Sequence, residues 1–472
     1  MCIRDSINSI GITDLSKLAC YVPSFAMPAY GSRLTSSMYI RGIGSRVNNP
    51  AIGIYLDGVP LVNKTAFNIH TYQIARADIL RGPQGTLYGM NTEGGLIRLY
   101  SKDPMTYQGT DLHIGIGTHF QRDIEAAHFG KINNNTAFSI AGFYSGSNGF
   151  FRNTTTGERA DNYNEAGGKM RLTTKLTNRL TADITADYQY VRQNAFPYGQ
   201  LNLETNRPDA PSANRQSNYT RNMLNTGLNL KYQAERFTLN STTSYQFLDD
   251  CMKMDQDYLA ADLMHMEQRQ LMNAITQELT IRNNTHGKWN RATGMYGSYQ
   301  WLRTDAPVFF DKDFTGRISD GIQTVMYNAI LKSMTDKMVA AGMPQTAAEK
   351  AAAAAIEKAG GISVDANMKV PATFNTPQFN IGVYHESNIN ITDKLTATLG
   401  LRYDYNRVKV HYDTYATMAI TANVMGQSMT NTLTSVLNNA SHDNYSQLLP
   451  KVGLSYTCLL YTSPSPRDRT RS

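Results

Sequence analysis

Along residues 169–190 apolar and polar side chains alternate almost position by position. Met170, Leu172 and Leu176 share one parity with Thr174, while Lys169, Arg171, Thr173 and Lys175 hold the other. After Thr177-Asn178-Arg179 the alternation resumes. Leu180, Ala182, Ile184, Ala186, Tyr188 and Tyr190 now stand against Thr181, Asp183, Thr185, Asp187 and Gln189. Successive side chains of a strand point to opposite faces, so the segment predicts a hairpin with one apolar and one charged face. The rhythm returns in Leu224–Tyr232, a turn at Ala234-Glu235-Arg236, and Phe237–Phe247. It returns again where a short turn, Ile389 to Lys394, joins Phe379, Ile381 and Val383 to Leu395–Tyr405. Strands of about ten residues, with short turns at one end and long loops at the other, suit a tilted membrane β-barrel. A soluble sandwich would use strands nearer five or six residues.

Upstream of Pro104 the pattern is different. Residues 8–104 are rich in glycine, with short apolar runs such as Ile-Gly-Ile-Tyr-Leu (52–56) and Ala-Asp-Ile-Leu (77–80). These predict a small mixed domain of short strands and one or two short helices. A long insertion, 303–375, interrupts the later strands. Its alanine-rich stretch Thr346 to Ala359, after Pro344, predicts a helix in an external loop.

Composition changes the picture at the ends. Cys458 to Asp468 looks like translated adapter DNA, and the opposite strand of the same DNA reads Met1 to Asp5. Setting such segments aside leaves Cys20 and Cys251, too few for a disulfide framework. Dropping Arg467, Arg469, Arg471 and Asp468 removes +2 from the formal charge of +7 and leaves +5. That charge is mild and unclustered, so nucleic acid is not an expected partner. No run of about 18 apolar residues exists to form a membrane helix. The mean hydropathy of −0.40 is also compatible with a barrel, where only alternate residues meet lipid. The 28 tyrosines favour one, because barrels carry aromatic girdles.

Within this frame the sequence resembles the TonB-dependent receptor family. Tyr39-Ile-Arg-Gly (39–42) is followed by Ile54-Tyr-Leu-Asp-Gly-Val-Pro (54–60) and Ala77-Asp-Ile-Leu-Arg-Gly-Pro-Gln-Gly-Thr-Leu-Tyr-Gly (77–89). Gly94-Gly-Leu-Ile (94–97) and Ser101-Lys-Asp-Pro (101–104) come next. Weaker matches follow in family order: Thr276-Gln-Glu-Leu (276–279) with Trp289, Leu399-Gly-Leu-Arg-Tyr-Asp (399–404), and Leu449-Pro-Lys-Val-Gly-Leu-Ser-Tyr (449–456). The resemblance implies a mainly β fold: an N-terminal α+β plug inside a transmembrane antiparallel barrel. The expected division is an artefact and truncated start at 1–7, plug at 8–104, partial barrel at 105–457, and adapter-derived tail at 458–472. A complete plugged transporter has about 22 strands. About 350 residues supply roughly 12–15, so the barrel is expected to be partial.

The resemblance also implies roles for particular residues. Plug arginines Arg41 and Arg81 are expected to pair with a carboxylate on the inner wall, locking the plug. Glu278 faces the lumen by parity and is the expected partner. Ligand contact is expected at the outward plug loops, through Arg46, Asn48, Asn49, Lys64 and Phe67. The implied function is TonB-coupled import of a scarce ligand across the outer membrane of a Gram-negative bacterium. A ferric siderophore, a small metal chelate, leads; haem, cobalamin and oligosaccharide are the alternatives. The expected partners are the inner-membrane TonB complex, outer-membrane lipid and that ligand.

Rival readings are weaker. A passive porin or barrel-anchored adhesin has no glycine-punctuated domain before its first strand. Gly42-Ile-Gly44 is not a phosphate loop, because Val47 takes the last glycine position. His113, His119 and His128 lack metal-site spacing. No nucleophile–histidine signature appears, so neither an enzyme nor a cofactor is expected.

Overall fold

A computed structural model describes residues 2–4, 12–45, 50–83, 85, 88–89, 91–284 and 287–457. Its first part is a plug. Helix α1 (Leu15–Ala19) starts at Asp14, whose carboxylate accepts from the Lys17 backbone N–H at 2.9 Å. A carboxylate here satisfies a donor that the first helical turn leaves open. The plug sheet contains β1 (Cys2–Arg4), β2 (Ile52–Leu56), β3 (Val59–Leu61), β4 (Ile74–Arg81) and β5 (Gly95–Ser101). Their order is β1-β4-β5-β2-β3, with only the β2–β5 pairing parallel. Cys2–Arg4, set aside above as adapter-derived, thus pair along the edge of β4. Backbone pairing does not depend on side chains, so any extended segment can occupy an open strand edge.

Two turns show why the plug motifs contain glycine. Asp57 and Gly58, at φ 52° and 87°, turn β2 into β3. Arg41 and Gly42, at φ 54° and 79°, join the short strands Tyr39–Ile40 and Ile43–Gly44. Two-residue hairpin turns need positive φ at both positions, which glycine adopts without steric cost.

The second part is a fifteen-stranded sheet, antiparallel throughout. Its early strands are β6 (Gly109–Gly117), β7 (Gln121–Asn133), β8 (Thr136–Ser147), β9 (Tyr163–Lys175) and β10 (Leu180–Asn194). The wall continues through β11 (Asn218–Gln233), β12 (Phe237–Asp255), β13 (Met264–Asn283) and β14 (Trp289–Asp305). It ends with β15 (Gln378–Asn390), β16 (Leu395–Val424) and β17 (Gln427–Tyr456). Each strand pairs with its chain neighbour. Short strands Val308–Phe310, Ile362–Val370 and Ala372–Asn375 fill in above β13, β14 and β16. Among the described residues β6 and β17 do not pair with each other. The strands outrun the expected ten residues, reaching 20 in β13 and 30 in both β16 and β17. They continue as sheet beyond the height a bilayer requires.

The predicted hairpins form in the predicted phase. In β9–β10, Lys169 pairs with Asp187 and Met170 with Ala186. Lys169 is 2% exposed and Met170 60%; Asp187 is 3% exposed and Ile184 47%. The charged face is therefore inside and the apolar face outside, the arrangement of a wall that meets lipid.

Short turns such as 176–179 and 234–236 lie at one end of the wall. Long connections such as 148–162, 195–217 and 306–377 lie at the other. The last holds the expected helix, α3 (Gln345–Lys358), and a longer one before it, α2 (Lys312–Ala340), which the sequence reading missed. Ala348, Ala352 and Ile356 form the buried stripe of α3, one helical turn apart. No helix among the described residues is long and apolar enough to cross a membrane, which leaves crossing by strands open.

The plug core is apolar: Ile12, Leu15, Ile40, Ile54, Ile79, Ile97 and Leu99 are all buried. Met223, Leu248, Met272 and Ala274 reach in from the wall and join the same cluster. The plug therefore packs against the inner wall as well as within itself.

Candidate functional site

The contact between plug and wall is built from buried polar groups. Asp57 projects from the β2–β3 turn, and its side chain is 4% exposed. Lys169 of β9 donates to its carboxylate and to the Ser101 hydroxyl. Ser101 donates to the same carboxylate through its backbone N–H at 2.7 Å and its hydroxyl at 2.8 Å. Arg171 stands 4.0 Å away, and Asn229 of β11 donates to the Asp57 carbonyl at 3.1 Å. Burial would raise the Asp57 carboxyl, but the Lys169 and Arg171 charges outweigh it and hold the group below its usual range.

A second cluster surrounds His70, in the plug segment before β4. Its Nε2 lies 3.1 Å from Glu125 of β7, and its Nδ1 lies 3.3 Å from Glu165 of β9. Arg33 of the plug reaches Glu165 at 2.7 Å. The imidazole stacks on Phe143 with ring centroids 4.0 Å apart. Burial alone would lower the His70 pKa. Hydrogen bonds to Glu125 and Glu165, reinforced by their charges, lift it to about 9, so the ring carries a proton at neutral pH. Beside it, Tyr72 donates to Asp187 at 2.9 Å, and Gln189 accepts from the His70 N–H at 3.1 Å.

The third anchor is Arg221 of β11, fully buried. It donates to the Thr65 carbonyl at 2.6 Å and the Asn68 carbonyl at 2.9 Å. It thereby clasps the plug turn Lys64–Ala66. That turn lies towards the long-loop end, because Arg221 follows directly on the 195–217 connection.

These anchors are not the ones expected. Arg41 and Arg81 are exposed, and among the described residues neither bonds to Glu278. Arg41 is occupied as a turn residue, and Arg81 donates to the Pro23 carbonyl at 3.4 Å. Glu278 does face inward, as its parity requires, but it accepts from Tyr384 of β15 at 3.3 Å. The polarity of the latch is mixed: wall cations reach plug oxygens at Lys169, Arg171 and Arg221, while plug Arg33 and His70 reach the wall carboxylates Glu165 and Glu125. A signal for this was present in the sequence. Lys169 and Asp187 sit on the charged parity, and Asp57 is the acid of the Leu-Asp-Gly motif.

The ligand-contact residues fare unevenly. Arg46, Asn48 and Asn49 lie outside the described residues. Lys64 is half-buried in the clasped turn. Phe67 is 3% exposed and belongs to the plug core, so its role is packing rather than ligand contact. An apolar ring in a short loop flanking buried strands gains more from the core than from water. At the long-loop end a cavity of about 280 Å³ opens between plug residues Ser32, Arg33 and Asn68 and loop residues Asp161 and Pro197. A larger one, about 1010 Å³, opens at the short-turn end around Arg98, Arg171, Asp183 and Glu278.

A stopper bonded inside an inverted wall is the arrangement the motifs implied, and family comparison agrees on both parts. The TonB-dependent Receptor Plug Domain matches residues 3–96, and the TonB dependent receptor-like β-barrel matches residues 174–467. The chain belongs to the TonB-dependent receptor family. It is accordingly an outer-membrane protein of a Gram-negative bacterium. The pesticin receptor of Yersinia pestis is 34% identical over 100 residues, 21% of this chain and 15% of that protein. The ferrichrome outer membrane transporter/phage receptor of Escherichia coli is 33% identical over 102 residues, 21% of this chain and 13% of that protein. Among solved structures, the ferric yersiniabactin uptake receptor FyuA from Yersinia pestis superposes with a TM-score of 0.71 at 17% identity. That match covers 97% of this chain and 62% of FyuA. The closed form of the ferric-catecholate import receptor Fiu from E. coli gives 0.63 at 13% identity, covering 97% and 63%. This TonB-dependent receptor chain therefore spans less than two thirds of either of these two structures, and at these identities the likeness is one of fold.

Proposed function

We propose that the chain is the plug and part of the barrel of a receptor that imports a ferric siderophore, with energy delivered through TonB. The observation that carries this reading is the kind of adhesive between plug and wall. Asp57, His70, Thr65 and Asn68 are held by charged or amide side chains at hydrogen-bond distance. Removing one partner of such a buried pair costs about 3–5 kcal/mol. At rest the links hold the lumen shut. When they part, water can replace every bond, which suits a stopper that must be moved and reseated. A plug fixed only by apolar packing would expose that surface each time it moved.

The ligand enters from the long-loop end. The plug turn clasped there carries the cation Lys64, and Arg46, Asn48 and Asn49 complete the proposed contact set. Cationic and amide groups suit an anionic iron chelate. Three of the proteins this chain resembles have names that concern iron chelates: ferric yersiniabactin, ferric catecholate and ferrichrome.

Iron-55 uptake is the direct test. A receptor-deficient strain carrying this protein should accumulate a ferric catecholate or ferrichrome only when TonB is functional. Accumulation that persists without TonB would point to a passive pore. Growth on haem, cobalamin or an oligosaccharide in place of the iron chelates would move the ligand to that class.

A further inference from the structure

Among the described residues the plug is held unequally along the stretch of wall present. Strands β9 to β12 bond to it through Lys169, Arg171, Gln189, Arg221 and Gln246. Strands β15 to β17 stand off across a cavity of about 630 Å³. Arg402 of β16 bridges this gap, donating to the Tyr88 carbonyl at 2.5 Å. We propose that the ligand passes the plug on this flank, between Asn91–Glu93 and the inner faces of β15–β17. The proposal rests on the import reading and adds the route to it.

The wall chemistry of the cavity supports transit. Asn91 on the plug faces Gln378, Asn380, Asn406 and Gln447 on the wall. A carboxamide both donates and accepts, so a polar solute can exchange partners along such a surface. Asn380 is 2% exposed and donates to the Asn406 Oδ1 at 2.6 Å. Its own amide oxygen is buried without a hydrogen-bond partner among the described residues. A buried acceptor left open is costly, and a passing N–H or O–H would satisfy it. The cations nearby are paired, Arg402 with Asp404 at 2.6 Å and Lys451 with Glu386 at 2.8 Å, and the Glu93 carboxylate also lines the cavity. Among the described residues the flank therefore holds no unpaired cation to trap an anionic ligand. It fits the amide, hydroxyl and carbonyl surface of a polar chelate. The volume falls within the range of roughly 300–1,000 Å³ usual for small-molecule sites.

Two cysteine pairs separate this flank from the bonded one. A Cβ at Gly85 would lie 3.8 Å from the Leu449 side chain, and a Cβ at Gly227 would lie 3.8 Å from the Val59 Cβ. Each pair, Gly85→Cys with Leu449→Cys and Val59→Cys with Gly227→Cys, is closed in outer-membrane vesicles or cells by a short, thiol-reversible bis-methanethiosulfonate. Closing 85–449 should cut uptake of iron-55 ferrichrome or ferric catecholate at least tenfold, with recovery on reduction. Closing 59–227, which tethers the plug beside links that must also part when it moves, should cut uptake at least threefold less than closing 85–449 does. Equal losses, or loss only at 59–227, would overturn the route. Hydrogen exchange without any ligand gives an independent reading. Amides of Asn91–Glu93 should exchange at least tenfold faster than those of Asn63–Asn68, and equal or reversed rates would also overturn it. If the untethered receptor imports neither chelate, the iron assignment falls, and the exchange measurement still decides the route.

Discussion

In the plug, Ile54, Ile79, Ile97 and Leu99 are buried, while Arg41 and Arg81 lie at the surface. In the wall, Arg221, Lys169 and Asp187 are buried, while Ile184, Val383 and Leu454 are exposed. One chain thus follows two opposite burial rules. The difference teaches what each part has for surroundings. The plug hides apolar surface from water in the ordinary way. The wall presents apolar surface outward because lipid lies there, and keeps its polar groups for the lumen. The two rules meet at Asp57, His70 and the Lys64–Ala66 turn, where the plug's polar rim touches the wall's polar lining.

The largest effect should come from breaking that meeting point. Lys169→Met leaves Asp57 buried beside Ser101 without its closest cation. We expect a loss of about 3–5 kcal/mol in plug seating, read as faster limited proteolysis between residues 57 and 101. A seating energy equal to the parent's would mean that the Asp57 node carries no weight. Next comes the outer face. Ile275→Lys puts a charge midway along β13 where an apolar side chain is 46% exposed. A cost of about 2–4 kcal/mol is expected for insertion into phospholipid vesicles. An insertion midpoint in urea that did not move would place β13 outside lipid.

A smaller effect should follow pH. The folded His70 holds its proton up to about pH 9, whereas an unfolded histidine releases it near about 6.5. The contribution of the charged ring is therefore full below about 6.5 and is lost as pH rises through about 9. Glu125 and Glu165 face it from the wall, and Arg33 shares Glu165. Protease resistance of the plug should fall between pH 6 and pH 10 and should fall less in His70→Gln. Increasing resistance at high pH would contradict the geometry. Smallest of all, Arg81→Ala at an exposed position should change stability by less than about 0.5 kcal/mol. A loss of several kcal/mol would restore the pairing first expected of it.

The sequence made the wall legible because a strand's two faces are written in consecutive residues. Lys169 against Met170 needed no knowledge of the rest of the molecule. The plug's turns were equally local, in Asp57-Gly58 and Arg41-Gly42. What could not be read was which plug group meets which wall group. Arg221 and Thr65 are separated by 156 positions, and their contact depends on how the plug sits in the lumen. The rotation and depth of one body inside another leave no periodic trace. Glu278 was placed on the correct face and given the wrong partner for that reason. The α2 helix was missed on other grounds. Gly316 and Gly321 interrupt it, and its buried residues are only Ser319 and Thr335, so neither propensity nor an apolar stripe marks it.

The length of the last hairpin has a consequence of its own. β16 and β17 run for 30 residues each and turn at Met425-Gly426 at the long-loop end. A membrane strand needs only about 9–11 residues, so well over half of each ribbon stands clear of the lipid. On the import reading, in which the long loops face the medium, a phage tail fibre, an antibody or a bacteriocin approaching the lumen would find this ribbon standing in its way.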